Sequence, residues 1–382
     1  MHAPSVGEGL QARPVIELAR TARPEMQLAY TWFSPSADHF GHSLGADIAG
    51  PLPFDTAANA DALLDAMRPT ALVCAKADLW PLLAAAAHAR GVPLGLVSAT
   101  LGGGSSRLGM ARALLGDAYA VLDVVGAIDN ADAARLVALG VRADRVSITG
   151  DTRYDQVWGR AQAVDLASAM LAPLADARPT LVAGSTWPAD EARLLVAWKA
   201  ILKRFSAEPA TETQSAERHH LRLIIAPHEP VPAHLDAIEQ WAQESGLTVA
   251  RLDGVNAARA DVVLVDRVGV LGDLYSLATA AFVGGGFHAA GLHSVLEPAA
   301  FGVPVVFGPR HQMSRDAARL MANGGGESAS SCADIERILA GWLGDAASRS
   351  RAGDKARAVV MGGLGAAGRS WKLVAGLIDA GR

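Results

Sequence analysis

One pattern constrains the fold more than any other: short apolar runs alternate with stretches of helical periodicity along the whole chain. In the first half the runs are Gln27–Trp32, Ala71–Ala75, Leu94–Ser98, Val121–Val125 and Val146–Thr149. Each is bounded by Gly, Pro, Asp or Ser and predicts a strand. Helical spacing predicts helices over Leu10–Arg20, Asn59–Met67, Trp80–Arg90, Arg107–Leu115 and Ala131–Leu139, the last with Asp129 or Asn130 as N-cap and Gly140 as stop. Apolar strands separated by helices belong to a parallel sheet covered on both faces. The pattern pauses over Asp151–Pro179, which carries Pro173 and Pro179 and no clear strand.

It then resumes with strands at Thr180–Ala183, Leu221–Ala226, Thr248–Leu252, Val262–Val265, Ala281–Val283 and Val303–Phe307. Helices are expected between them, and three more near the end of the chain. The polar stretch Ala207–His220 reads as a solvated excursion. The expectation is an α/β protein of two Rossmann-like, doubly wound domains facing across a cleft, with ligands outside the carboxyl ends of the strands.

Composition narrows the function classes. A chain of 382 residues supports two domains, and 51% hydrophobic with 19% charged residues excludes disorder. A net charge of −5 argues against a nucleic-acid partner. Two cysteines, Cys74 and Cys332, are too few for a disulfide framework or a thiolate zinc site, which points to a reducing compartment. No apolar run reaches the roughly 18 residues of a membrane span. The opening MHAPSVGEGL has neither the basic nor the apolar region of a signal peptide.

Three segments carry chemistry. In Ala281–Pro309 a strand runs into Gly284, Gly285 and Gly286, and a helix begins near Ser294. Glycines let backbone amides approach an anion, and a first-turn Glu297 can accept ribose hydroxyls. The combination with His293 separates this loop from an ordinary strand–helix turn. In Ala183–Glu191 the strand ends in Gly184, Ser185 and Thr186 before Pro188; a phosphate cradle and an ordinary capped helix start fit equally well. In Ser5–Gly9, Glu8 is either a general base on a Gly-flanked turn or a first-turn Glu favoured by the helix dipole. The pair His39/His42 and the group His219, His220, His228 and His234 lack a metal-ligand spacing and read as surface histidines. There is no Asp-x-Asp, Gly-x-Ser-x-Gly or Walker A motif.

The segments SVGEGLQARPVIELAR, FSPSADHF, PLPFDTAAN, GDTRYDQV, AGSTWPADE, IIAPHEP, VLVDRVGVLGDLYSLATAAFVGGG, GLHSVLEPAAFGVPVVFGP and NGGGES occur in this order. Together they resemble the 3-deoxy-D-manno-octulosonic acid (Kdo) transferases of lipopolysaccharide assembly, over the chain from Ser5 onward. The resemblance implies a GT-B fold with an acceptor domain at 1–165, a donor domain at 166–365, and a last helix at 366–382 crossing back. It implies an inverting, metal-independent transfer of Kdo from CMP-Kdo, a substrate and not a cofactor, to the 6′-hydroxyl of a lipid A precursor. No cofactor is expected.

On this reading Glu8 matches the family's general base, with Ser5 and Gly7 beside it on the acceptor side. Arg153 stands where many members carry a lysine near the reacting groups, and Asp78 replaces a common glutamate. Ser185, Thr186, the Gly284–Gly286 loop, His293 and Ser294 would hold the CMP phosphate. Glu297 would take the ribose, and the loop around Gly269 the cytosine. Pro-His-Glu at Pro227–Glu229 marks a subtype and puts His228 on the donor side. Arg107 and Arg112 would meet the lipid phosphates.

Relatives usually open with an apolar anchor and a strand. Here Met1 precedes Ser5 by four positions, so the first strand is expected to be nearly absent, through a shortened start or a peripheral mode of membrane binding at the cytoplasmic face of the inner membrane. Two alternatives share the sheet and the glycine loop: another GT-B enzyme, such as a lipid A disaccharide synthase or UDP-sugar 2-epimerase, and a non-catalytic nucleotide- or lipid-binding relative.

Overall fold

The structure, a computed structural model, describes residues 1–109, 112–207 and 221–380. The chain divides into two compact units, residues 1–156 with 363–382, and residues 157–362.

In the first unit the strands are β1 (Ala29–Trp32), β2 (Ile48–Pro51), β3 (Leu72–Ala75), β4 (Leu94–Ala99), β5 (Val124–Ala127) and β6 (Val146–Ile148). β1 pairs with β2, and β3 to β6 lie side by side in sequence order, all parallel. Residues Met1–Ala3 connect the two groups. The His2 amide donates to the Val73 carbonyl at 2.8 Å, the Ala3 amide to the Thr31 carbonyl at 3.0 Å, and His2 bridges Thr31 and Cys74 in parallel sense. The short segment Met1–Ala3 thus makes the sheet continuous and leads directly into the helix Val6–Ala22.

That helix begins four residues before the expected Leu10, because Ser5 takes the extended N-cap conformation and Val6–Glu8 enter the first turn. The Asp129 side chain caps the helix Asn130–Leu139 and Gly140 stops it, as the sequence predicts. The helix expected at Arg107–Leu115 is instead a short 3₁₀ turn at Ser106–Leu108 and a helix at Arg112–Ala120. β2 has no sequence signature, since Ile-Ala-Gly-Pro is short and partly exposed and is recruited by pairing with β1.

Period-two alternation sorts the strand residues between two cores. Cys74, Leu94, Leu96 and Val125 pack under the helices Ala57–Met67, Pro81–Ala89 and Asn130–Leu139. Val73, Ala75 and Val97 pack with Val15 and Ile16 and with Val374, Leu377 and Ile378 of the last helix, Ala366–Ala380.

In the second unit the strands are β7 (Thr180–Thr186), β8 (Arg222–Pro227), β9 (Val249–Arg251), β10 (Val262–Leu264), β11 (Ala280–Val283), β12 (Val305–Phe307) and β13 (Gly326–Ser328). They form one parallel sheet in the order β13-β12-β11-β7-β8-β10-β9. Leu181, Leu223, Ile225, Leu264 and Phe282 face the helices Pro188–Ala207, Pro232–Glu244 and Cys332–Gly344, while Val182, Ile224, Val263 and Ala281 face the other layer. Both units are doubly wound α/β layers of Rossmann type.

The sequence missed β13 and the helix Arg153–Ala163, which begins inside the stretch read as a connection. The polar excursion after Ala207, with His219 and His220, lies outside the described residues. Among the described residues no helix is long and apolar enough to cross a membrane.

Candidate functional site

In the first unit the candidate residues follow the carboxyl ends of parallel strands, where an open α/β sheet presents its ligand surface. Ser5 and Glu8 follow the segment Met1–Ala3, Lys76 follows β3, and Arg153 follows β6. Ser-x-x-Glu is a capping-box sequence, yet here the two side chains bond each other: the Ser5 hydroxyl donates to Glu8 Oε2. Lys76 Nζ donates to Glu8 Oε1 at 2.8 Å. Burial pushes the Glu8 carboxyl up, but the hydrogen bonds from Lys76 and Ser5 and the lysine charge outweigh it and hold the group below its ordinary value. Glu8 is therefore an ionised acceptor at neutral pH. Gly7 is exposed in the same first turn.

Thr152 ties this helix to the Arg153 turn. Its Oγ1 donates to the Gln11 carbonyl at 2.6 Å and lies 2.7 Å from Ser98 Oγ, all three being buried. Arg153 is clamped by Asp151, with Nη2 and Nε at 2.6 and 2.9 Å from Oδ2, so its charge is largely matched inside its own turn. The structure also joins two residues that the sequence assigned separately: Arg107 donates to Asp78 Oδ1 at 3.2 Å and to the Ala77 carbonyl at 2.7 Å. Arg112 opens its helix with an exposed side chain.

The second unit gathers its candidates around Trp187 and Asp190. Asp190, fully buried, accepts the amides of Trp187 (2.9 Å), Gly285 (2.8 Å) and Phe287 (3.0 Å). The Gly284 amide donates to the Gly184 carbonyl at 2.9 Å. Within the Gly284–Gly286 loop expected to cradle a phosphate, the amides of Gly284 and Gly285 thus donate to partners inside the protein. These glycines are required for close backbone approach: Gly285 has φ +90°, and a Cβ there would strike the Gly291 carbonyl. Gly286 passes equally close to Gly308.

The Thr186 hydroxyl is likewise spent, donating to Glu191 at 2.7 Å, while Glu191 also accepts from His234 Nε2 at 2.9 Å. Ser185 is held at φ +52°, a strained value for a non-glycine, and its hydroxyl has no partner among the described residues.

Four rings gather in one cluster, in which only His288 and Trp187 are stacked parallel and the other contacts are tilted. The His288 and Trp187 centroids lie 4.1 Å apart, Trp187 and His228 4.6 Å, and His228 and His293 4.4 Å. Trp187 Nε1, a donor only, bonds His293 Nε2 at 3.2 Å, which makes His293 a neutral imidazole with its proton on Nδ1. Burial, reinforced by His228, lowers its pKa to about 4. Ser294 is exposed beside it. Glu297, in the first turn of Leu296–Ala300, makes no hydrogen bond among the described residues. Burial raises its pKa against the opposing charge of Arg160. Gly269, at φ +91°, presents its carbonyl to Arg160 Nη2 at 2.8 Å.

Sequence reasoning missed Lys76, Trp187, Asp190 and His288. Trp187 and Asp190 lie inside a segment it singled out, whereas no sequence signal marks Lys76. His39 and His42 fall on a short helix where His42 packs edge-on to Trp32. Among the described residues no group of three or more His, Cys, Asp or Glu side chains is arranged to hold a metal ion.

The sequence model of the 3-deoxy-D-manno-octulosonic-acid transferase (kdotransferase) family matches residues 1–156. Two curated 3-deoxy-D-manno-octulosonic acid transferases are similar over most of the chain. That of Bordetella pertussis is 30% identical over 84% of this chain and 73% of its own length. That of Haemophilus influenzae is 25% identical over 96% and 84%. Among solved structures, UDP-GlcNAc 2-epimerase from Neisseria meningitidis superposes with a TM-score of 0.68 over 99% of this chain and 98% of that one at 13% identity, a likeness of GT-B-like fold alone. The chain belongs to the 3-deoxy-D-manno-octulosonic acid transferase family and is a glycosyltransferase of lipopolysaccharide assembly.

Proposed function

We propose that the chain transfers Kdo from CMP-Kdo to the 6′-hydroxyl of a lipid A precursor, with inversion and without a catalytic metal. The observation that carries this reading is the Glu8 carboxylate, held ionised at the first turn after the segment Met1–Ala3 by Ser5 and Lys76. The acceptor hydroxyl attacks the anomeric carbon of Kdo, its proton passes to Glu8, and the bond to CMP breaks with its electron pair on the phosphate. A carboxylate is a weak base toward an alcohol, so the proton moves as the new C–O bond acidifies the hydroxyl, within the roughly 10²–10⁴-fold range of general base catalysis.

On the donor side, the free Ser185 hydroxyl and the His293 Nδ1–H supply neutral donors for the phosphate. Their alignment with the leaving group would stabilise its developing charge. The unpartnered Glu297 suits the two ribose hydroxyls. Arg153, Arg107 and Arg112 supply cations on the acceptor side. Work at the cytoplasmic face of the inner membrane, by peripheral contact, belongs to the same proposal.

The test is direct. The protein is incubated with CMP-Kdo generated in situ and tetraacyl lipid A precursor, and the lipid is read by mass spectrometry. A gain of one or more Kdo units is expected. No gain, with conversion of UDP-GlcNAc instead, would replace this reading with the epimerase alternative.

A further inference from the structure

Resting on the reading of Glu8 as the base, we propose that Lys76 is a positioning residue of the reaction, fixing the charge and aim of the Glu8 carboxylate. Three observations carry it. The ammonium lies 2.8 Å from Glu8 Oε1, across 68 residues of sequence, on a carboxylate whose side chain is only 16% exposed. Ser5 occupies the other oxygen, so the carboxylate has little freedom to turn. Lys76 itself sits at φ +63°, a left-handed value that lysine rarely adopts, pinned by its amide donating to the Val97 carbonyl at 2.8 Å.

An ion pair with a lysine that is 44% exposed adds little to stability. Backbone strain held at such a place therefore points to function more than to folding. Other charged and titratable groups face Glu8 from neighbouring elements but do not replace the lysine. Tyr30 on β1 stays neutral, its phenol raised to about 12 by burial and by the Glu8 charge. Arg13, further along the same helix, lies over the Phe40 ring at 4.8 Å. Lys76 is thus the cation bonded directly to the base.

The consequence has a definite sign. Burial alone raises the Glu8 pKa, and the contacts from Lys76 and Ser5 reverse that. Without the ammonium, protonated Glu8 becomes more favourable, and the base is lost as pH falls through a range where the native protein keeps it.

The experiment measures kcat/KM against pH for the native chain, K76M, K76Q and K76R, with CMP-Kdo and tetraacyl lipid A precursor and thermal melting as a fold control. The native chain is expected to keep its carboxylate limb below the ordinary carboxylate range, because an essential base titrates at its free-enzyme pKa. In K76M and K76Q the acid limb should move to higher pH than in the native chain, and K76R should keep the native profile. Carboxyl NMR of isotope-labelled glutamate, assigned by difference from E8Q, should show the same upward shift and does not depend on turnover. Parallel profiles with an unshifted Glu8 resonance, while E8Q is inactive, overturn the role of Lys76 alone. An active E8Q overturns the reading of Glu8 as base, and this inference with it.

Discussion

Glu8 has two neighbours that hold it as an anion, and its contribution to catalysis is separable from its contribution to the fold. E8Q keeps the side-chain volume and the Ser5 contact, so its melting temperature should stay close to native. Its kcat should fall by about 10²–10⁴-fold, the usual worth of a general base, in the lipid mass-spectrometry assay. Glu8 was legible as a carboxylate on a Gly-flanked turn, with a first-turn helix residue as the alternative, and its part as a base entered through the family resemblance. Lys76 was not, because its partner is 68 residues away and a lone lysine after a strand carries no local signal. Likewise, the sequence suggested hydroxyls for Ser185 and Thr186 together, but only the buried Glu191 and His234 behind Thr186 decide which of the two is free.

The glycine-rich loop behaves as one element because a single carboxylate collects three of the amides around it. In D190N one of the two accepting oxygens becomes an NH2 that can only donate, so at least one of the three bonds is replaced by a donor–donor contact and the rest lose their charge. A destabilisation of several kcal/mol in the second unit is expected from thermal melting, since a hydrogen bond to a charged group contributes roughly 1.5–3 kcal/mol. CMP affinity, read by calorimetry, should fall with it. G285A should act similarly through strain, since its φ of +90° suits only glycine. The strands around this loop were legible from apolar runs alone. The part Asp190 plays was not legible, because it depends on β11 arriving beside β7, a pairing across roughly a hundred residues that no local pattern encodes. The ring cluster makes its own prediction. His293 should titrate near 4 by NMR and stay neutral from about pH 6 to 8, with the Trp187 indole proton held in a hydrogen bond throughout.

Across the whole molecule, two buried histidines, one in each unit, contribute to acid sensitivity. His2, within the segment Met1–Ala3, and His293 both have pKa values lowered to about 4, chiefly by burial. A histidine depressed in the folded state binds its proton more readily when unfolded. Their contribution to stability is therefore full above about 6.5 and is lost as pH falls from there toward 4. Melting temperatures should drop steadily across that window, and H293Q should flatten the slope. The plan of two units, each a parallel sheet covered on both faces, was legible because strand–helix alternation recurs with few interruptions; the short β2 and β13 were not, since their pairing and not their composition makes them strands. The last helix has one further consequence. Because Val374, Leu377 and Ile378 complete the core around Val73, Val97 and Ile16, the first unit lacks part of its interior until the helix Ala366–Ala380 is translated. On the ribosome the continuous stretch 157–362 has all of its sheet in hand first, and the half that emerges earliest is the half that finishes last, with its apolar face open to chaperones while synthesis continues.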